Sequence, residues 1–420
     1  MRPFTSVIPL AEARRRLEAG VRPIARTETL PLAETAGRVA AADVTSPIAV
    51  PPFDRAVMDG YALVAADTRD AGPDRPVTLR IIERLHAGSV PTRRVEPGTC
   101  AEIATGAPLP DGADAVVMVE QTRRAADGSM AAGQSAAARD GNAGDAVAIL
   151  TPAEAGQHTG RRGADLAPGD PVIRHGDMLT PARLGALAAV GQPAVIVYAK
   201  PRVAVLSTGS EVAEPGRPLE GGQIYDVNRF TLGAIVAAHG GVPDPRGPVS
   251  DDLQALMDAF DACTGADLVV FSGGSSVGER DLVVDLVAAR QGEMVFHGIA
   301  MKPGMPTAFA RLGHLPLLGM PGNPTSCLSN AYVLLVPFLR ATARLPPYVA
   351  RIVRAPLGRR VRSPLGRHQF YTVRLRDGVA VPAFKGSGEI TSLSEADGYF
   401  EIPPDLAVVE EGESIAVTLF

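Results

Sequence analysis

The hydrophobic pattern changes character several times along the chain. Residues 9–19, PLAEARRRLEA, carry apolar positions at helical spacing and stop at Gly20, which predicts a helix. Between 46 and 120 the pattern breaks into short runs such as VTLRIIERL and DAVVMVEQ, punctuated by Pro and Gly; this predicts a β-rich module. Residues 123–148 are rich in Ala, Gly and Asp without periodicity and are expected to form a surface loop. The segment 180–190, TPARLGALAAV, reads as a capped helix, with Thr180 as N-cap, Pro181 in the first turn and Gly191 as the stop.

From about residue 198 the order becomes strand, glycine-rich turn, helix. RVAVLS (202–207) leads into TGSE, and DLVVFS (267–272) into GGSSVGE and a helix over 280–290. LPLLGM (315–320) leads into PGNP and a helix over 325–341, and further helices are expected over 228–240 and 251–260. This alternation predicts a parallel α/β domain with right-handed crossovers, whose ligand gathers outside the carboxyl ends of the strands. Residues 346–420 return to short alternating runs, a small β-barrel or sandwich, with Pro346–Pro347 as a boundary. The fold class is therefore α/β, multidomain, and 420 residues are enough for about three domains.

Composition narrows the function. The 44 glycines and 37 prolines stay below a disordered composition, and 46% hydrophobic residues supply large cores. A net charge of −5 without a long basic tract argues against a general nucleic-acid binder. Three cysteines without CxxC or Cys/His spacing fit a reducing compartment, and the longest apolar stretch, 332–339, is far short of the ~20 residues that span a bilayer. The expectation is a cytoplasmic protein with no membrane partner. Of 41 basic residues only Lys200, Lys302 and Lys385 are lysines. A coding bias explains the scarcity, and a compact ammonium survives best where arginine cannot replace it. Lys200, just ahead of a strand, is read as incidental.

Three turns offer chemistry. Ser207–Glu211, Ser272–Gly278 and Pro321–Ser326 each follow a strand and present small, hydroxyl or glycine residues. The second and third enter helices, whose N-termini favour anions. Neither a Walker A loop nor G-x-G-x-x-G is present. Glu211, Asp251 and Asp281 fall near the same sheet edge; beside an anion they call for a bridging cation such as Mg²⁺, while helix capping is the competing reading for Asp251 and Asp281. Lys302 follows the run MVFHGIA and is expected at a strand end, suited to an oxyanion.

Taken in order, these motifs are similar to those of the molybdopterin molybdenumtransferase family, the bacterial MoeA proteins and the gephyrin E domain. The resemblance is carried by Pro51 to Ala62 (PPFDRAVMDGYA), Thr105–Pro108, Arg162–Asp165, Ser207–Glu211, Gly222–Asn228, Ser272–Gly278, Met301–Gly304 and Pro321–Ser326, across essentially the whole chain. It implies an elongated dimerisation part (1–45 with 164–197), a β-rich inserted domain (46–163), a molybdopterin-binding α/β domain (198–342) and a C-terminal β-barrel-like domain (343–420). It implies insertion of molybdate into adenylylated molybdopterin with Mg²⁺, releasing AMP and molybdenum cofactor. It further implies a homodimer and transient contact with other cofactor-biosynthesis or molybdoenzyme-maturation proteins.

By the same resemblance Asp59, Asp165, Asp251 and Lys302 are catalytic, with Asp59 and Thr105 entering a cleft from the dimer partner. Thr105, Thr208, Gly209, Asp226, Asn228, Gly273, Gly274, Ser276, Pro303, Gly322, Asn323, Ser326, Arg367 and Ser387 are implied to bind substrate, and Glu211, Asp251 and Asp281 to hold the metal. Ser276, Lys302 and Ser326 match positions associated with molybdate or substrate. The chain departs from the family at Met305, where many members carry lysine, and at Ser275, Thr372 and Asp397; Met305 and Thr372 remove charge or donors near the expected molybdate site. A non-catalytic scaffold would be expected to lack the pocket acids, which are intact here. A molybdopterin adenylyltransferase would not need the β-rich and C-terminal modules.

Overall fold

The computed structural model describes residues 7–124, 145–273 and 281–420. Its centre is a six-stranded sheet in the order Val242–Val249, Arg202–Thr208, Leu268–Ser272, Leu315–Met320, Ala308–Leu312, Glu293–His297. The first four strands are parallel. The last two run antiparallel at one edge of the otherwise parallel sheet. Strands 308–312 and 315–320 are joined by a tight hairpin in which Gly313 takes φ +64°, a conformation that suits glycine.

The strands are buried on both faces, so they read as continuous apolar runs. Alternation then sorts the side chains. Val203, Val205, Val270, Leu318 and Met320 join one core with helices Leu10–Gly20 and Asn228–Ala238 and the helical run from Pro324. Ala204, Leu206, Val269, Phe271 and Leu317 join the other, with helices Leu253–Asp261 and Leu282–Ala289. The first helix joins the core of the α/β sheet through Leu10, Ala13 and Leu17. Phe309 and Phe338, far along the chain, belong to the same core.

The expected helix over 325–341 is continuous but not uniform. A π-helical turn, Ala331–Leu335, separates Pro324–Asn330 from Val336–Thr342. Pro337 lacks an N–H and would collide with the carbonyl four residues back; the wider turn ahead of it relieves both conflicts. The capped helix is Pro181–Ala189, with the Thr180 hydroxyl accepting the Arg183 N–H at 3.4 Å.

The β-rich segment forms a second six-stranded sheet, from Gly60–Leu63 to Ala146–Ile149. The surface-loop reading of 123–148 is corrected at both ends: Thr122–Arg124 pairs antiparallel with Ala146–Ile149, and residues 125–144 lie outside the described part. A ribbon of Thr27–Pro31 against Ala194–Tyr198 closes a small core with Ala40, Ile173, Leu179 and Leu187. The C-terminal sheet orders Met301–Lys302, His368–Arg376, Gly398–Ile402, Ser414–Leu419 and Ile352–Pro356. Its first strand comes from the α/β segment. All three cysteines are free and buried, and burial pushes the Cys100 and Cys327 thiols up to about 12.

Candidate active site

In chain order the parallel strands start at 202–208, step to 242–249 on one side and then to 268–272 on the other. The direction of winding reverses between strands 202–208 and 268–272, and a crevice opens beyond their carboxyl ends. A cavity of ≈ 1270 Å³ lies there. Described residues of all three turns line it: Ser207–Gly209 and Glu211, Ser272–Gly273, and Pro321–Pro324 with Ser326.

The turns are locked together by close contacts. Gly273, at φ +100°, lies so near strand 202–208 that a Cβ would come within 2.5 Å of the Thr208 carbonyl oxygen and 2.8 Å of its hydroxyl. Gly322 in the third turn faces the Gly273 Cα. Asn228 donates its side-chain N–H groups to Ser272 Oγ and to the Gly322 carbonyl, each at 2.7 Å, tying the second turn to the third. Its Oδ1 is buried without a partner among the described residues, as is Thr208 Oγ1. Both residues line the cavity. Such orphaned groups are costly unless a ligand satisfies them.

Asp226 borders the cavity, but its carboxylate is already in use. Oδ2 accepts from Ser207 Oγ at 2.5 Å and pairs with Arg229 Nε at 3.2 Å, and Oδ1 accepts from the Arg229 backbone N–H at 3.1 Å. It clamps the end of strand 202–208 to the start of helix 228–238 at the cavity wall.

The acids separate in the same way. Glu211 and Asp251 line the cavity, and Asp251 accepts the Ser210 N–H at 3.2 Å. The cap of helix 253–261 is Asp252, which accepts from Ala255 at 3.0 Å, so Asp251 is left for the cavity. Asp281 does not line it. It caps helix 282–289 and lies 2.9 Å from His297 Nε2, only 6% exposed. Of the expected metal trio, Glu211 and Asp251 line the cavity and Asp281 does not, and among the described residues no three His, Cys, Asp or Glu side chains gather closely enough to hold a metal.

The cations come from a different part of the fold. Met301–Lys302 forms the edge of the C-terminal sheet, with Lys302 opposite Gln369 and Arg367 just before the paired His368. Lys302, Pro303 and Arg367 line the cavity. So does the loop 384–388, whose Ser387 Oγ accepts from Asn323 at 3.1 Å and whose backbone carbonyl accepts the Thr325 N–H at 3.1 Å. Thr208, Gly209, Gly273, Gly322, Asn323, Ser326 and Ser387 all face this space. Gly274 and Ser276 lie outside the described residues. Lys385 also lines the cavity but donates to Thr391 Oγ1 at 2.7 Å.

Sequence reasoning missed Tyr225 and Phe384, aromatic lining residues, and the loop Phe384–Gly388 as a whole. That loop carries Gly386-Ser387-Gly388, the small-residue signature used to find the other turns. Met305 lines the cavity, whereas Thr372 is buried inside the C-terminal sheet with its hydroxyl unpartnered among the described residues; its departure lies away from the cavity. Asp397 is structural, accepting the Leu375 N–H at 2.7 Å.

Asp59, Thr105 and Asp165 do not line this cavity. Asp59 and Thr105 are joined to each other, the Thr105 N–H at 2.6 Å and its hydroxyl at 2.9 Å both donating to Asp59 Oδ1. These bonds hold the exposed Asp59 carboxyl below its usual range. Asp165 is exposed, its backbone N–H bonded to the Val50 carbonyl.

The whole chain can be compared with known proteins. Residues 8–191 match the MoeA N-terminal region (domain I and II), 204–341 a probable molybdopterin binding domain, and 354–420 the MoeA C-terminal region (domain IV). The chain is 36% identical over 407 residues to molybdopterin molybdenumtransferase 2 of Mycobacterium tuberculosis, covering 93% of this chain and 95% of the relative. It is 33% identical over 404 residues to the molybdopterin molybdenumtransferase of Haemophilus influenzae, covering 94% of each. The crystal structure of the molybdopterin biosynthesis MoeA protein from Pyrococcus horikoshii superposes with a TM-score of 0.81 at 37% identity, covering 99% of both chains. The chain belongs to the molybdopterin molybdenumtransferase (MoeA) family.

Proposed function

We propose that the chain inserts molybdate into adenylylated molybdopterin, releasing AMP and the molybdenum cofactor. The observation that carries this reading is the meeting, in one cavity, of three strand-end turns with Lys302 and Arg367 from the C-terminal sheet. Both substrates are anions. Exposed backbone N–H groups, hydroxyls and two cations suit phosphate and molybdate oxygens. The cavity exceeds the volume of an ordinary small-ligand site, which suits a two-part substrate of nucleotide and pterin.

Glu211 and Asp251 are the carboxylates available for Mg²⁺. An all-oxygen set of two carboxylates, completed by substrate phosphate and water, is a donor pattern that Mg²⁺ accepts, and the unpartnered Thr208 hydroxyl and Asn228 carbonyl oxygen add to it. When bound, the cation neutralises charge building on the phosphate bridge. Lys302 and Arg367 hold the oxyanion, Ser326 and Ser387 orient it, and the Asp226 clamp keeps Thr208 and Asn228 facing the cavity.

Asp59, Thr105 and Asp165 enter this reading through a homodimer, in which they complete the partner's cavity. Mixing an Asp59→Asn chain with a Lys302→Ala chain tests it: mixed dimers regain activity if the groups meet across the interface, and stay inactive if each chain works alone.

The central test is reconstitution with adenylylated molybdopterin, molybdate and Mg²⁺. Molybdate-dependent AMP release is expected. No AMP release at any Mg²⁺ concentration refutes the activity.

A further inference from the structure

The α/β sheet carries a second cavity, of ≈ 670 Å³, at the end opposite the active site. Its walls include Arg202 and Val242, at the starts of strands 202–208 and 242–249, and Thr27 and Glu28, at the start of strand 27–31. The active-site cavity opens at the carboxyl ends of the same strands, so nothing described above accounts for this one.

Its charge is unbalanced. Arg26 holds Asp267 through two bonds, of 2.6 and 2.8 Å. Arg38 bonds Glu28 and donates to the Tyr198 carbonyl at 2.7 Å, with its side chain only 9% exposed. These two pairs consume the nearby carboxylates. Lys200 and Arg202 also line the cavity, and their side chains have no carboxylate partner among the described residues. Two uncompensated cations thus face one concavity, with a buried, preoriented arginine beside them. Such a wall concentrates anions.

The lysine count adds an independent observation. The chain has three lysines, and each lines a cavity: Lys302 and Lys385 the active site, Lys200 this one. In a chain that otherwise uses arginine, an ammonium at both places points to the same kind of ligand atom, a phosphate-like oxygen.

We propose that the cavity bounded by Arg38, Lys200 and Arg202 binds a phosphate group, free or carried by a monoester, separately from the active site. Lys200 and Arg202 contact the phosphoryl oxygens, and Arg38 closes the inner wall. The volume lies within the ~300–1,000 Å³ of small-molecule sites, leaving room for a group attached to the phosphate.

Calorimetric titration of the full-length protein with inorganic phosphate and with AMP, at low and at physiological salt, tests this. The double variant Lys200→Gln/Arg202→Gln is expected to lose at least tenfold in affinity at one site, while Lys302→Ala keeps that site. Both substituted side chains are exposed and leave the Arg202 backbone bond to Asp267 in place. AMP binding tenfold tighter than phosphate identifies a nucleotide ligand, and equal affinity identifies the free anion; either supports the proposal. Unchanged binding in the double variant overturns it. So does an equal loss in Arg359→Ala, an exposed arginine of the C-terminal domain, because the effect would then be one of overall charge.

Discussion

Gly273→Ala is the sharpest test of how the active site is built. The residue sits at φ +100°, where an L side chain is strained by about 1–3 kcal/mol. The new Cβ would stand 2.5 Å from the Thr208 carbonyl oxygen, a backbone atom of a buried strand. Forcing such an overlap costs another ~1–3 kcal/mol. Together these give a loss of roughly 2–6 kcal/mol in the α/β domain. The relief available is to push the second turn away from Thr208. A misplacement of about 1 Å at a reacting site costs on the order of 10²-fold in rate.

Gly322→Ala is the matched control. Its Cβ would meet the Gly273 Cα at 3.5 Å, ordinary van der Waals contact, and its φ is not in the left-handed region. Two neighbouring glycines should therefore behave oppositely. Urea unfolding followed by circular dichroism reports stability, since the chain has no tryptophan to serve as a fluorescent probe. Hydrogen exchange of strands 202–208 and 268–272 localises the effect, and AMP release gives the rate. If Gly273→Ala matched Gly322→Ala in stability and rate, the close packing of the turns would not be what shapes the site.

Lys302→Arg keeps the charge but should lose at least tenfold in kcat/KM, because sheet pairing with Gln369 fixes the backbone and the bulkier guanidinium must enter the cavity; full activity would refute this. Thr105→Ala removes one of the two bonds that depress the Asp59 pKa, so carboxyl NMR should show that pKa rising toward its ordinary value. Because the folded value is depressed, the stabilisation from this pair is present above the unfolded pKa and is lost as pH falls through the folded one. The variant should flatten that part of the acid limb, and an unchanged Asp59 titration would contradict the assigned bonds.

Much of the architecture was legible because its causes are local. A hydroxyl at Thr180 followed by Pro181 specifies a helix start whatever surrounds it. Runs such as RVAVLS can satisfy themselves only as strands buried on both faces, and the turns after them then share one sheet edge. The residues of the three glycine-rich turns could be named from that alone, though 274–278 of the second lie outside the described part.

What the sequence could not decide was partnership at a distance. Asp251 and Asp252 are neighbours with the same side chain, yet only Asp252 caps the helix, because the chain direction at its start aims one carboxylate at Ala255 and leaves the other facing Ser210. Asp281 looked like its two acidic companions until His297, on another strand, was brought beside it. Lys302 could be placed near a strand end, but its strand belongs to the C-terminal sheet through pairing with residues more than sixty positions later. Hydrophobic periodicity and capping are short-range and leave a trace in a single stretch of chain. Ion pairs, sheet edges and cavity walls form between segments whose separation is set only when the cores pack, so their identity belongs to the tertiary structure.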